Sequence, residues 1–134
     1  MSEQDDQLAV RLGFQPGQAV MELGWGDDTD EELRAAVEAV TDAEMLSEGD
    51  DDPVDVVLLW FREDDGDLTD TLVDAQSMLD KGGIVWLLTP KNGRDGHVEP
   101  ADIAEAVQTA GLSQTSNVTV GQDWNGTKLT SSSK

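Results

Sequence analysis

Apolar residues along this chain are arranged in two ways. Val54 to Phe61 and Ile84 to Leu88 form nearly continuous runs, broken in the first only by Asp55, as expected of parallel strands covered on both faces. Elsewhere they recur every three or four positions, at Leu33, Ala36, Val37 and Val40, at Leu68, Leu72, Ala75 and Leu79, and at Ile103, Ala106, Val107 and Ala110. That spacing predicts three amphipathic helices. Thr29 with Glu32 reads as a capping box for the first. Asp67 caps the second, which Lys81 and Gly82 close. Glu99-Pro100 opens the third, with proline where its missing N–H costs nothing, and Gly111 ends it.

The rest of the pattern fills in a sheet. A turn at Leu12 to Gly17 feeds a strand from Gln18 to Leu23, closed by Gly24-Trp25-Gly26-Asp27. Asp42 to Leu46 reads as a short second strand and Ser47 to Pro53 as a solvated acidic turn. Ser116 to Trp124 alternates in strand fashion, turns at Asn125-Gly126 and returns through Thr127 to Thr130. Strands alternating with helices predict an α/β fold: a small Rossmann-like, three-layer domain with a mostly parallel sheet, right-handed crossovers and a C-terminal β-hairpin. The 134 residues suffice for one core and not two. The expected organisation is an acidic, flexible tail over 1–11, one domain over 12–131 and a frayed end over 132–134.

Charge narrows the function classes. Eight basic against 29 acidic residues give a net charge of −21, which opposes direct nucleic-acid binding, because phosphate contacts need clustered Lys and Arg. The same repulsion disfavours anionic membranes, and no apolar run approaches the ~20 residues of a membrane helix. The N-terminal MSEQDDQLAV lacks the pattern of a secretory signal, so a cytoplasmic location is expected. With no cysteine, disulfides, thiolate metal sites and a cysteine nucleophile are excluded. Asn117-Val118-Thr119 and Asn125-Gly126-Thr127 match the glycosylation sequon but read as strand and turn residues.

Ligands of open α/β sheets bind outside the carboxyl ends of the strands. Three loops are expected there: Gly24 to Asp27, Arg62 to Gly66, and Pro90 to His97. The last gathers Lys91, Arg94 and the single histidine, His97, within seven residues of a strongly acidic chain. Lys91 and Arg94, with Arg62, would suit an anionic group, arginine as a fork and lysine as a point charge; the competing reading is that they relieve self-repulsion at the sheet edge. His97 is either a loop-capping residue or, by its ordinary titration range, a proton acceptor. Trp25, between two glycines, is either a stacking surface or a lid over the core. Asp27-Asp28, Asp50-Asp51-Asp52 and Glu63-Asp64-Asp65 lack the ligand spacing of a calcium loop, so no metal site is expected. No catalytic motif is present.

LGFQPGQAVMELGWGDD, VVLLWF, MLDKGGIVWLLTPKNGRDGHVEP and DWNGTKL together resemble a small actinobacterial family of unknown function, over about Leu12 to Leu129. More widely, PGQAVMELGWG is similar to the first strand and glycine loop of a class I S-adenosylmethionine-dependent methyltransferase, and LDKGGIVWLLTP to its late helix, GG turn and strand. If functional, that resemblance implies S-adenosylmethionine held at Glu22, Gly24 and Gly26. Departures accompany it: Asp27-Asp28 stands where a further glycine is usual, and some eight residues between Leu46 and Val54 are too few for the helix-strand-helix segment that surrounds adenosine. Glu48 or Asp50 would imitate the ribose-binding acid.

The resulting expectation is a non-catalytic binding or regulatory domain with no cofactor, recognising a protein partner, basic in character, or a small anionic ligand through Trp25, Lys91, Arg94 and His97. A minimal methyltransferase is the alternative, and acidic mimicry of nucleic acid a third.

Overall fold

The structure, a computed structural model, describes residues 12–24, 26, 29–42, 44–46, 53–91, 93–120 and 124–131. Strands β1 (Val20–Leu23), β2 (Val54–Trp60), β3 (Leu79–Pro90), β4 (Leu112–Val120) and β5 (Trp124–Ser131) alternate with helices α1 (Glu31–Thr41), α2 (Leu68–Ser77) and α3 (Pro100–Thr109). The sheet order is β1-β2-β3-β5-β4. β1, β2 and β3 run parallel, and β5 lies antiparallel between β3 and β4. The α/β expectation with a terminal hairpin therefore holds. None of the described helices is long and apolar enough to cross a membrane.

Strand periodicity divides the core. On one face Val57, Leu59, Val85, Leu87 and Leu129 meet Leu68, Leu72 and Ala75 of α2 and Ile103, Ala106 and Val107 of α3. On the other, Val56, Leu58, Trp60, Trp86, Leu88 and Trp124 meet Leu33, Ala36 and Val37 of α1 together with Leu12 and Phe14. The Trp86 indole N–H donates to the Leu12 carbonyl at 3.0 Å, tying the entering chain to the sheet. Burying such side chains stabilises the fold by about 1.5–3 kcal/mol each.

Several boundaries differ from the sequence reading. The N-cap of α1 is Asp30, whose carboxylate accepts from the N–H groups of Glu32 and Leu33, while the Thr29 hydroxyl turns back to the Gly26 carbonyl at 2.9 Å. A carboxylate beside the positive helix end outcompetes a hydroxyl one residue earlier. Among the described residues the short second strand contracts to a single parallel bridge, Leu46 to Met21. β1 begins at Val20, two residues later than its apolar pattern suggested.

Helix α2 ends at Ser77 with Met78 as its cap, not at Lys81-Gly82. Leu79 already pairs with Val54, and the Val54 N–H takes the Met78 carbonyl at 3.0 Å, so ladder bonds claim this segment before a further helical turn can form. The hairpin also moves. Val120 pairs with Trp124, which places the connection at 121–123, outside the described residues, and puts Asn125 and Gly126 inside β5. A Cβ on Gly126 would meet Val120 Cγ2 at 3.1 Å and Leu88 Cδ2 at 3.2 Å, so this glycine serves close packing. The tail over 1–11, the end over 132–134, Trp25, Asp27, Asp28, Glu48, the acidic run at Asp50 to Asp52 and the Lys81 side chain also lie outside the described residues.

Candidate functional site

The first loop at the carboxyl edge is built around Gly24. Its φ of +81° falls in the left-handed region, and a Cβ there would lie 2.1 Å from the Trp60 carbonyl oxygen, so only glycine lets β1 turn against the end of β2. Glu22, one pleat earlier, points to the α1 face. Arg34 grips its carboxylate with two N–H groups, Nη2 to Oε1 at 2.8 Å and Nε to Oε2 at 2.5 Å, and the Trp60 indole donates to Oε2 at 2.9 Å. The Glu22 side chain is 9% exposed and that of Arg34 26%. The hydrogen bond to Glu22 raises the Arg34 pKa above its already high value against the opposing effect of burial, so Arg34 stays charged.

Arg62 brings the loops together. Its Nη1 donates to the Gly24 carbonyl at 2.8 Å and lies 3.3 Å from the Asp65 carboxylate. The guanidinium carbon sits 5.3 Å from the Trp124 ring centre, within cation–π range, and Trp124 meets Trp60 edge-on at 4.9 Å. The next residue, Glu63, donates its N–H to the Gly96 carbonyl at 2.8 Å. The three loops nominated from sequence thus converge, Arg62 joining the second to the first and Glu63 joining it to the third.

The third loop folds as successive turns: the Arg94 N–H takes the Lys91 carbonyl at 3.0 Å and the His97 N–H the Arg94 carbonyl at 3.2 Å. Arg94 is exposed and Lys91 partly buried. The loop's histidine turns inward. Its Nδ1 lies 3.0 Å from the Pro90 carbonyl, an acceptor only, so Nδ1 carries the proton and Nε2 is left as an acceptor in the neutral ring. Nε2 stands 3.9 Å from Glu99.

His97 opens onto a cleft of about 350 Å³ between α3 and the β4–β5 hairpin. Thr89, Asn125 and Thr127 form its sheet side with Asn117, and Val98, Pro100 and Ile103 its apolar wall. Apart from His97, sequence reading missed these residues. The available signal was a polar interruption: Thr89 follows the apolar run of β3, and Asn125 and Thr127 occupy alternating positions of β5.

Of the other nominated residues, Gly26 is partly buried, its carbonyl accepting from Thr29, and Trp25 is not described. Among the described residues no three acidic or histidine side chains gather as a metal site. A cofactor at Glu22, Gly24 and Gly26 fits poorly: both Glu22 oxygens and the Gly24 carbonyl already have protein partners, and only seven positions separate the Leu46 bridge from β2.

The sequence pattern of the family described as "Protein of unknown function (DUF3052)" matches residues 9–133. Uncharacterized proteins of Mycobacterium tuberculosis and Mycobacterium bovis are 50% identical over 121 residues, covering 90% of this chain and 76% of theirs. The fold is similar to the pyocyanin biosynthetic protein PhzM, with a TM-score of 0.68 and 13% identity over 93% of this chain, which spans about half (53%) of PhzM. A SAM-dependent methyltransferase from Aquifex aeolicus has a TM-score of 0.57 and 16% identity over 93% of this chain and 88% of its own. CcbJ methyltransferase of Streptomyces caelestis has a TM-score of 0.61 and 10% identity over 98% and 91%. These likenesses establish a methyltransferase Rossmann-like fold.

Proposed function

Taking as premise that the chain belongs to the DUF3052 family of proteins of unknown function, we propose that it uses a methyltransferase-like fold for recognition and not for group transfer. The observation that carries this reading is the engagement of the glycine turn: Arg34 and Trp60 hold Glu22, and Arg62 holds the Gly24 carbonyl. A cofactor would have to displace bonds worth about 1.5–3 kcal/mol each where a charge is involved. Recognition is assigned to the loop of Lys91, Arg94 and His97 and the adjoining cleft, with Trp25 on the neighbouring loop. Lys91 and Arg94 supply attraction for an anionic group, and the net charge of −21 favours fast encounter with a basic protein partner in the cytoplasm.

Calorimetric titration with S-adenosylhomocysteine tests the absence of a cofactor, on the unmodified chain and on Arg62→Ala, which removes the link to Gly24. No binding at the Gly24 turn is expected from the unmodified chain at millimolar ligand. Saturable heat accompanied by amide shifts at Gly24 and its neighbours makes the minimal methyltransferase the better reading. Inorganic phosphate, followed by amide NMR shifts over 91–97, tests the anion site; shifts that persist in the Lys91→Ala, Arg94→Ala double variant would remove those two residues from the assignment.

A further inference from the structure

We infer that the cleft between α3 and the β4–β5 hairpin binds an uncharged nitrogen heterocycle of the nucleobase class, read by Thr89, Thr127, Asn125 and His97. Two buried hydroxyls carry the argument. Thr89 is 2% exposed and Thr127 4%, both line the cleft, and neither hydroxyl has a hydrogen-bond partner among the described residues. Buried polar groups are nearly always bonded, and leaving one unbonded costs about 1–3 kcal/mol. Two such groups on adjacent strands mark a place where something outside the chain completes the bonding.

The strand register arranges the polar groups in rows. Thr89 lies opposite Asn125, which lies opposite Thr119; Thr127 lies opposite Asn117. Deeper under the helices the same sheet face carries Val85, Leu87 and Leu129. The face changes from apolar to polar where it reaches the cleft, a local departure from core patterning of the kind that functional sites show.

Chemistry and shape select the ligand. Thr89, Thr119 and Thr127 offer hydroxyls, Gln114, Asn117 and Asn125 amides, and His97, with a proton held on Nδ1 by the Pro90 carbonyl, presents its Nε2; no lining side chain has a fixed charge, in a chain at −21. The opposite wall is Val98, Pro100 and Ile103. A planar heterocycle matches this division, because its donors and acceptors lie on its edge and its faces are apolar. Amide side chains pair two-pronged with such edges. A sugar, with hydroxyls projecting around the ring, would put polar groups against the apolar wall. The inference deepens the recognition reading and rests on it, but not on Lys91 or Arg94.

The test is a residue-resolved NMR titration of the full chain with adenosine, inosine, cytidine and uridine at millimolar concentration, and with glucose. At least one nucleoside is expected to give saturable shifts at Thr89, Asn117, Asn125 and Thr127. Thr89→Val and Thr127→Val should each weaken that binding roughly five- to tenfold, while thermal midpoints stay level or rise, since each removes an unbonded hydroxyl. The inference is overturned if no nucleoside shifts these signals, if binding is unchanged in both variants, or if glucose shifts the same signals as strongly. Comparing the best nucleoside with its 5′-phosphate in the Lys91→Ala, Arg94→Ala background reports separately on the anion site. Binding of S-adenosylhomocysteine at the Gly24 turn would overturn the recognition reading through signals on a different part of the sheet.

Discussion

Glu22 is the residue on which the cofactor and structural readings differ most, and its replacement gives a quantitative test. Glu22→Gln keeps the side-chain volume and an oxygen for the Trp60 indole, but removes the negative charge that Arg34 grips with two N–H groups. Hydrogen bonds to charged groups contribute about 1.5–3 kcal/mol. Arg34 is 26% exposed, so water recovers part of the loss, leaving an expected destabilisation of about 1–2 kcal/mol. In a chain at −21, removing a negative charge also relieves self-repulsion. Glu105→Gln, at an exposed position on α3, measures that relief and is subtracted. The assay is urea unfolding at neutral pH of Glu22→Gln, Arg34→Met and the double variant, with the pair's coupling taken from the cycle. A coupling of about 1 kcal/mol or more is expected. A coupling indistinguishable from zero would falsify the structural role and return Glu22 to the pool of ligand-binding groups.

Gly24→Ala should destabilise by about 2–4 kcal/mol in the same assay, from positive-φ strain of about 1–2 kcal/mol and the 2.1 Å approach of its Cβ to Trp60; a change below about 1 kcal/mol would mean the turn can relax. Loss of ligand binding in any Gly24 variant therefore needs a folding control. Gly126→Ala should cost about 1 kcal/mol through its contacts with Val120 and Leu88, and a neutral or stabilising result in thermal unfolding would show that those side chains yield. Asp42, at the cap of α1 with φ +60°, is in the left-handed region that favours glycine. Asp42→Gly should raise stability by about 0.5 kcal/mol, and a fall in the thermal midpoint would refute it.

The hydrophobic pattern of this chain determined the order and kind of its main elements. Runs such as VVLLWF and the three-and-four spacing of α1, α2 and α3 are local signals, and so are the Asp67 cap, whose carboxylate accepts from the N–H groups of Thr69 and Asp70, and the proline at the first position of α3. The same locality placed Gly24, Arg62 and His97 on carboxyl-end loops. Tertiary structure decided what those residues do. Arg62 meets Gly24, 38 positions away, and Trp124, 62 positions away. Glu22 is held by a helix and by the next strand. No periodicity encodes such partners, because they depend on strand order and on how closely two backbones approach. The hairpin is the plainest case: Asn125-Gly126 is a strong turn signal locally, yet pairing with β3 draws it into a strand, where Gly126 is fitted against Leu88 and Val120. Register likewise sets Thr89 beside Asn125 and Thr127 beside Asn117, and a cleft made of residues scattered over three strands exists only once the sheet has closed its hydrogen bonds.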